Sequence, residues 1–240
     1  TAIPAKAIPA METEFPMSDP TADPDQHSAA TPADGPLSGF RVLDLSSVVS
    51  GPMAAVVLAD QGADVIKIEP PGWGDGIRGL GASRNGLSAI YAMINRNKRS
   101  IAINLKHAEG QALVRQLAAD ADVLLQNYRP GKMARLGLDY DALKAECPDL
   151  IYASINGMGE VGPYAEQKTY DYVIQALSGI LDVQGMTPLA MNPAEHDASP
   201  VEQKQALQMV RSIIYDKVTA LTAAQGITAA LLARERGAGG

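Results

Sequence analysis

Cysteine is nearly absent from this chain: Cys147 is the only one in 240 residues, which excludes an internal disulfide and a cysteine-rich zinc site. A lone thiol of this kind reads as a small, partly buried apolar residue and suits a reducing compartment. Histidine occurs three times, at His27, His107 and His196, without the spacing of zinc ligands. No apolar run reaches the roughly 18 residues that a membrane-spanning helix needs. Positive charge is not in excess either. The formal net charge is -7, so neither nucleic acid nor a membrane surface is an expected partner, and any anionic ligand must find a local basic site. The opening residues lack a basic segment followed by an apolar core, which makes the cytoplasm the expected address. Also missing are the Gly-x-Gly-x-x-Gly turn of dinucleotide folds, the P-loop and the Gly-x-Ser-x-Gly nucleophile elbow. No NAD, flavin or metal is expected.

What is present is the composition of an ordinary globular protein, 46% hydrophobic and 20% charged. Residues 1–36 are rich in Pro, Ala, Asp, Ser and Thr without helical or strand periodicity, and read as a disordered tail. From Leu37 the pattern changes. Arg41 to Leu45 reads as a strand, Ser46 to Gly51 as a turn of small residues, and Pro52 to Gly62 as a helix with Pro at its first position and Gly just past its end. Asp64 to Glu69 is a second strand, which completes a βαβ unit. Ser100 to Leu105, Asp122 to Asn127 and Leu150 to Asn156 read as further strands, with an amphipathic helix over Ala108 to Asp120. Strands alternating with helices predict an α/β fold whose sheet is largely parallel, doubly wound and covered on both faces. Residues 186–209 read as an exposed polar loop. Lys217 to Arg236 then predicts a long Ala-rich helix with Val218, Leu221, Ile227 and Leu231 as its apolar positions.

Several clusters carry potential chemistry, each with a plainer alternative. Ser46 to Pro52 lies at the carboxyl end of the first strand, where doubly wound sheets bind ligands, but small residues also make local turns. Arg96, Lys98 and Arg99 place three cations within four residues, with Lys106 nearby; they suit phosphate groups or form a solvated charge run. Asn127, Tyr128 and Arg129, before Pro130 and Gly131, offer an amide, an aromatic face and a guanidinium, or simply build a turn. Asp171 and Asp216 each precede an apparent helix and read as candidate acids or as N-caps of those helices.

Taken in order, six strings resemble the class III coenzyme A transferases, a superfamily that includes formyl-CoA transferase, L-carnitine CoA-transferase and the α-methylacyl-CoA racemases. They are RVLDLSSVVSGP, LADQGADVIKIEPPGWGD, NRNKRSIAINLK, ADVLLQNYRPGKMARLGLDYDAL, LIYASINGMGEVGP and YDYVIQALSG. The resemblance implies a Rossmann-like large domain, of which residues 37–240 form the N-terminal part, a small domain and C-terminal return lying beyond this chain, and an interlocked homodimer. It implies CoA and acyl-CoA as substrates with a carboxylic acid as acceptor, an aspartyl anhydride followed by an aspartyl-CoA thioester, and Asp216 as the nucleophile. Asp171 matches the position where racemases carry an acid. Ser47, Val48, Ile103, Lys106, Asn127, Tyr128, Arg129 and Arg135 match CoA-binding positions. An epimerase or an inactive CoA-binding fragment are the alternatives. Around Asp141 to Cys147 there is no histidine to partner Asp171, which argues against abstraction of a proton from carbon.

Overall fold

The computed structural model describes residues 35–185 and 207–240. The expectations for residues 1–34 and 186–206 lie outside them. The first βαβ unit forms from strand β1 (Arg41–Asp44), helix α1 (Ser50–Asp60) and strand β2 (Asp64–Glu69). Helix α1 begins two residues earlier than its proline suggested, so Pro52 sits at the third position, still within the first turn, whose N–H groups have no intrahelical partner. Gly62 follows the helix with φ of 98°, the left-handed stop expected of it. A short 3-10 turn (Gly76–Gly79), a small hairpin of β3 (Ser83–Arg84) and β4 (Leu87–Ser88), and helix α2 (Ala89–Asn95) fill the stretch between β2 and the next strand of the main sheet.

Strand β5 runs over Lys98–Ala102 rather than Ser100 to Leu105. Among the described residues it pairs only with β2, and Lys98 and Arg99 extend the ladder opposite Val65 and Ile66. An edge strand tolerates such charged residues because their heads can turn out of the pleat to partners. Then follow α3 (Ala108–Ala119), β6 (Val123–Gln126), α4 (Lys132–Arg135), α5 (Tyr140–Glu146), β7 (Ile151–Ser154), α6 (Asp171–Leu177), α7 (Ile180–Gly185) and α8 (Ile214–Glu235).

The main sheet is parallel throughout, with strand order β5-β2-β1-β6-β7. Successive residues of each strand face opposite layers. Val42, Val65, Val123 and Leu125 join α1 and α8 in one core, while Leu43, Ile66 and Leu124 join α3, Met133, Leu138 and Leu143 in the other. The order reverses between β1 and β6. This is the switch point at which the loops leaving the carboxyl ends part and open a crevice.

Helix α8 buries Ala220, Ala224, Ile227 and Leu231, spaced along a single helical face. Val218 and Leu221, expected on the apolar face, are instead about half exposed. Small residues decide this: Ala220 and Ala224 share a core with Ala54, Ala55 and Ala59 of α1, allowing the two backbones a close approach that a Val or Leu stripe would prevent. Arg234 fastens the far end, donating to Asp122 Oδ1 at 2.6 Å and to the Asp149 carbonyl at 3.2 Å.

Candidate active site

Two turns meet at the switch point. Asn127, directly after β6, accepts the Ser47 N–H at 2.8 Å through Oδ1 and donates to the Ser47 carbonyl at 2.7 Å through Nδ2, so one side-chain amide satisfies both backbone groups of a residue in the turn after β1. Gly51 lets that turn fold back on itself, because a side chain there would collide with Ser46. Val48 sits between them with φ of 68°, a left-handed backbone rarely taken by a β-branched residue.

These turns wall one side of a cleft of about 480 Å³, also lined by Tyr128, Arg129, Gly157, Lys168, Asp171 and Asp216. Six expected residues therefore converge with one another or with the candidate nucleophile: Ser47, Val48, Asn127, Tyr128, Arg129 and Asp171 share the cleft with Asp216. A second cleft, of about 570 Å³, lies against Tyr128, Arg129 and Pro130 as well but is lined by neither Asp171 nor Asp216.

Neither aspartate caps its own helix. Asp171 is the first residue of α6, and its carboxylate reaches across to α8, accepting the N–H of Tyr215 at 2.7 Å and of Asp216 at 3.0 Å, while Gln175 Nε2 donates to it at 2.6 Å. No side chain of α8 itself caps that helix, so Asp171 supplies the acceptor its open N–H groups need. Asp216 stands in the first turn of α8, half-buried. Burial pushes its carboxyl above the ordinary aspartate range, the negative charge of Asp171 adds to this, and a hydrogen bond with the Ser50 side chain partly opposes it. A carboxylate raised in this way is more basic and less well solvated, both of which favour attack on an electrophile.

The cations of the Arg96 to Arg99 run have partners within the chain. The Lys98 side chain is buried, donating to Asp44 Oδ2 at 2.8 Å, to the Pro52 carbonyl at 2.8 Å and to Asn95 at 2.9 Å. Burial depresses its ammonium despite the neighbouring Asp44. Arg96 pairs with Asp60 and Arg99 with Asp64, the latter at 2.6 Å. Each of the three is matched to a carboxylate: Lys98 to Asp44 at the end of β1, and the two arginines to aspartates at the end of α1 and the start of β2.

A different set of cations gathers at Tyr128. Lys132, on α4, lies 3.7 Å from the centre of the Tyr128 ring. Burial and the charges of Arg135 and Lys106 hold its ammonium below the ordinary value. Lys106 and Arg135 were legible as candidates; Lys132 was not singled out, although its place three residues before Arg135 on a helix was a readable signal. Ile103 belongs to the buried core cluster against which Tyr128 packs, and it does not line the cleft. Ser50 was also missed, and no spacing in the sequence ties it to Asp216.

Comparisons with known proteins give the family and the fold. A family model described as CoA-transferase family III matches residues 37–240. The chain is 42% identical over 196 residues to a succinate–glutarate CoA-transferase of Agrobacterium fabrum, covering 79% of this chain and 46% of that protein. It is 40% identical over 202 residues to a succinyl-CoA:glutarate CoA-transferase of Mus musculus, covering 84% and 43%. A solved structure of a CAIB/BAIF family protein from Brucella suis superimposes with a TM-score of 0.73 at 38% identity, covering 85% of this chain and 50% of that one. The chain thus spans about half the length of the relatives it matches.

Proposed function

The chain belongs to CoA-transferase family III, and on that footing we propose that the protein moves CoA from an acyl-CoA to a carboxylic acid, with Asp216 as the group that is acylated. The observation that carries this reading is a half-buried carboxylate of raised pKa in a cleft at the switch point of a doubly wound sheet.

Attack of the Asp216 carboxylate on the thioester carbon breaks the C–S bond, leaving a mixed anhydride and the CoA thiolate. The thiolate then attacks the aspartyl carbonyl, which releases the donor acid and leaves an aspartyl-CoA thioester. An acceptor carboxylate displaces the thiolate to form a second anhydride on Asp216. Return of the thiolate to the acceptor's acyl carbon gives the new acyl-CoA and frees Asp216. Every step exchanges one carbonyl substituent for another, so no external base is needed. Carboxylates are poor nucleophiles, and the work of the site is positioning and stabilisation of each tetrahedral oxyanion. The uncapped N-terminus of α1, which begins at Ser50 beside the cleft, supplies positive dipole for that purpose.

In this reading Ser47, Val48, Asn127, Tyr128 and Arg129 hold the pantetheine arm and its amides along the cleft, and Lys106, Lys132 and Arg135 meet phosphate. Arg96, Lys98 and Arg99 are left out, being committed to carboxylates. Both relatives named above carry glutarate and succinate or succinyl-CoA in their names, which favours dicarboxylic acids as donor and acceptor, with exposed Lys168 placed to meet a distal carboxylate. An epimerase reading gains no support, because the Asp171 carboxylate is taken up by three N–H donors.

Incubation with an acyl-CoA followed by peptide mass spectrometry tests the proposal. An acyl or CoA adduct on the peptide bearing Asp216 is expected; a protein that turns over while Asp216 stays unmodified would overturn it.

A further inference from the structure

Two buried charges close to the cleft take no part in the chemistry above. Lys67 and Asp75 have side chains only 1% exposed, and their Nζ and Oδ2 atoms lie 3.0 Å apart. Neither lines the cleft. An ion pair removed from water contributes little to stability by itself, so what its remaining hydrogen-bonding groups touch matters more than the pair. Lys67 Nζ donates to the Ser46 carbonyl at 3.0 Å. Asp75 accepts the Val48 N–H with both oxygens, at 3.1 and 3.2 Å, and also the Ile77 N–H at 3.2 Å. With Asn127 on Ser47, three consecutive residues of the site turn are each tied down from a different element: Ser46 from β2, Ser47 from the end of β6, and Val48 from the loop after β2.

Val48 is the member of the three that needs holding. Its left-handed φ is unfavourable for a β-branched side chain, and such residues persist only where the surroundings over-determine them. We propose that Asp75 is a positioning residue for the cleft: anchored by Lys67, it holds the Val48 backbone in the left-handed conformation and thereby sets the turn against which an acyl-CoA packs. This rests on the CoA reading only for the identity of the ligand; the clamp itself is a property of the chain.

A double-mutant cycle between Asp75→Asn and Val48→Gly tests it, because glycine takes the left-handed region without strain and no longer needs the clamp. Asp75→Asn is expected to weaken CoA binding by about tenfold, as loss of a charged hydrogen-bond acceptor does. In the Val48→Gly background the same change should cost much less. An equal loss in both backgrounds, or no loss in either, overturns the proposal. Amide hydrogen exchange gives a reading that does not depend on the ligand. Asp75→Asn should speed exchange in the turn of residues 46–50 ahead of strands β1 and β2, and uniform loss of protection across the sheet would show a merely structural pair. Should Asp75→Asn alone fail to fold, the double variant is expected to fold, and failure of both also overturns the clamp. Absence of CoA binding by the unmutated protein would count against the transferase reading, leaving the exchange result to decide the clamp.

Discussion

The carboxylate of Asp171 accepts the backbone N–H of Asp216 at 3.0 Å, so one of the cleft's two acids holds the peptide group of the other. The relation is reciprocal: the same charge that fixes the start of α8 also raises the carboxyl it positions. Asp171→Ala removes the acceptor for two N–H groups and should cost about 1 kcal/mol of stability, as the loss of a helix cap does. Asp171→Asn keeps an oxygen in place and should retain most of that stability while lowering the pKa of Asp216. Thermal melts of both variants, alongside the pH profile of adduct formation, separate the two effects.

Adduct formation needs Asp216 ionised. Its pKa lies above 3.8, so the rate should fall as pH drops through that raised value. The sign for stability is the opposite of that of a salt-bridged acid. With the folded pKa above the unfolded one, the contribution of Asp216 is present below pH 3.8 and lost as pH rises through the folded value. Asp216→Asn should therefore leave the melting temperature at neutral pH equal or higher while reducing turnover by about a thousandfold or more. A steady-state assay and a calorimetric melt check the two halves.

Glu69 behaves in the reverse manner. Burial would raise it, but Arg78, Ser100 and the Asp75 N–H outweigh burial and lower it from 4.5 to about 2. Its contribution is present above pH 4.5 and is lost as pH falls toward about 2. Urea midpoints measured across this window should decline in the unmodified protein and decline less steeply in Glu69→Gln, which starts lower at neutral pH.

Cations can be sorted by their partners. Lys106→Ala, Lys132→Met and Arg135→Ala should each weaken CoA binding by about fivefold to tenfold and flatten its dependence on salt, as loss of a charge-assisted phosphate contact does. Arg96→Ala and Arg99→Ala should leave the affinity unchanged, since those guanidinium groups are already paired with Asp60 and Asp64. Titration calorimetry at two salt concentrations distinguishes the groups.

The main sheet was legible because its central strands are short apolar runs buried on both faces and alternating with helices, with Pro52 and Gly62 marking one helix closely. Charge was harder to place. Lys67, on β2, is buried among partners from distant segments, which its neighbours in the sequence do not reveal. The Arg96 to Arg99 run reads as a patch because sequence spacing reveals neighbours along the chain and not the aspartates of α1 and β2 beside it. Asp216 was located through family resemblance; nothing in its own neighbourhood announces that Asp171 would cap it from another helix.

Helix α8 docks on α1 although Asp60 and Ile214 stand far apart in the chain, and this has a consequence for biosynthesis. Until its last turns leave the ribosome, the alanine-lined flank of α1 and the adjoining valines of the sheet have no cover. Contacts so distant in sequence form slowly and leave a nascent chain prone to self-association. Premature termination shortly before Ile214 should therefore yield a species that sediments as aggregate, and chaperone dependence should ease once α8 has emerged.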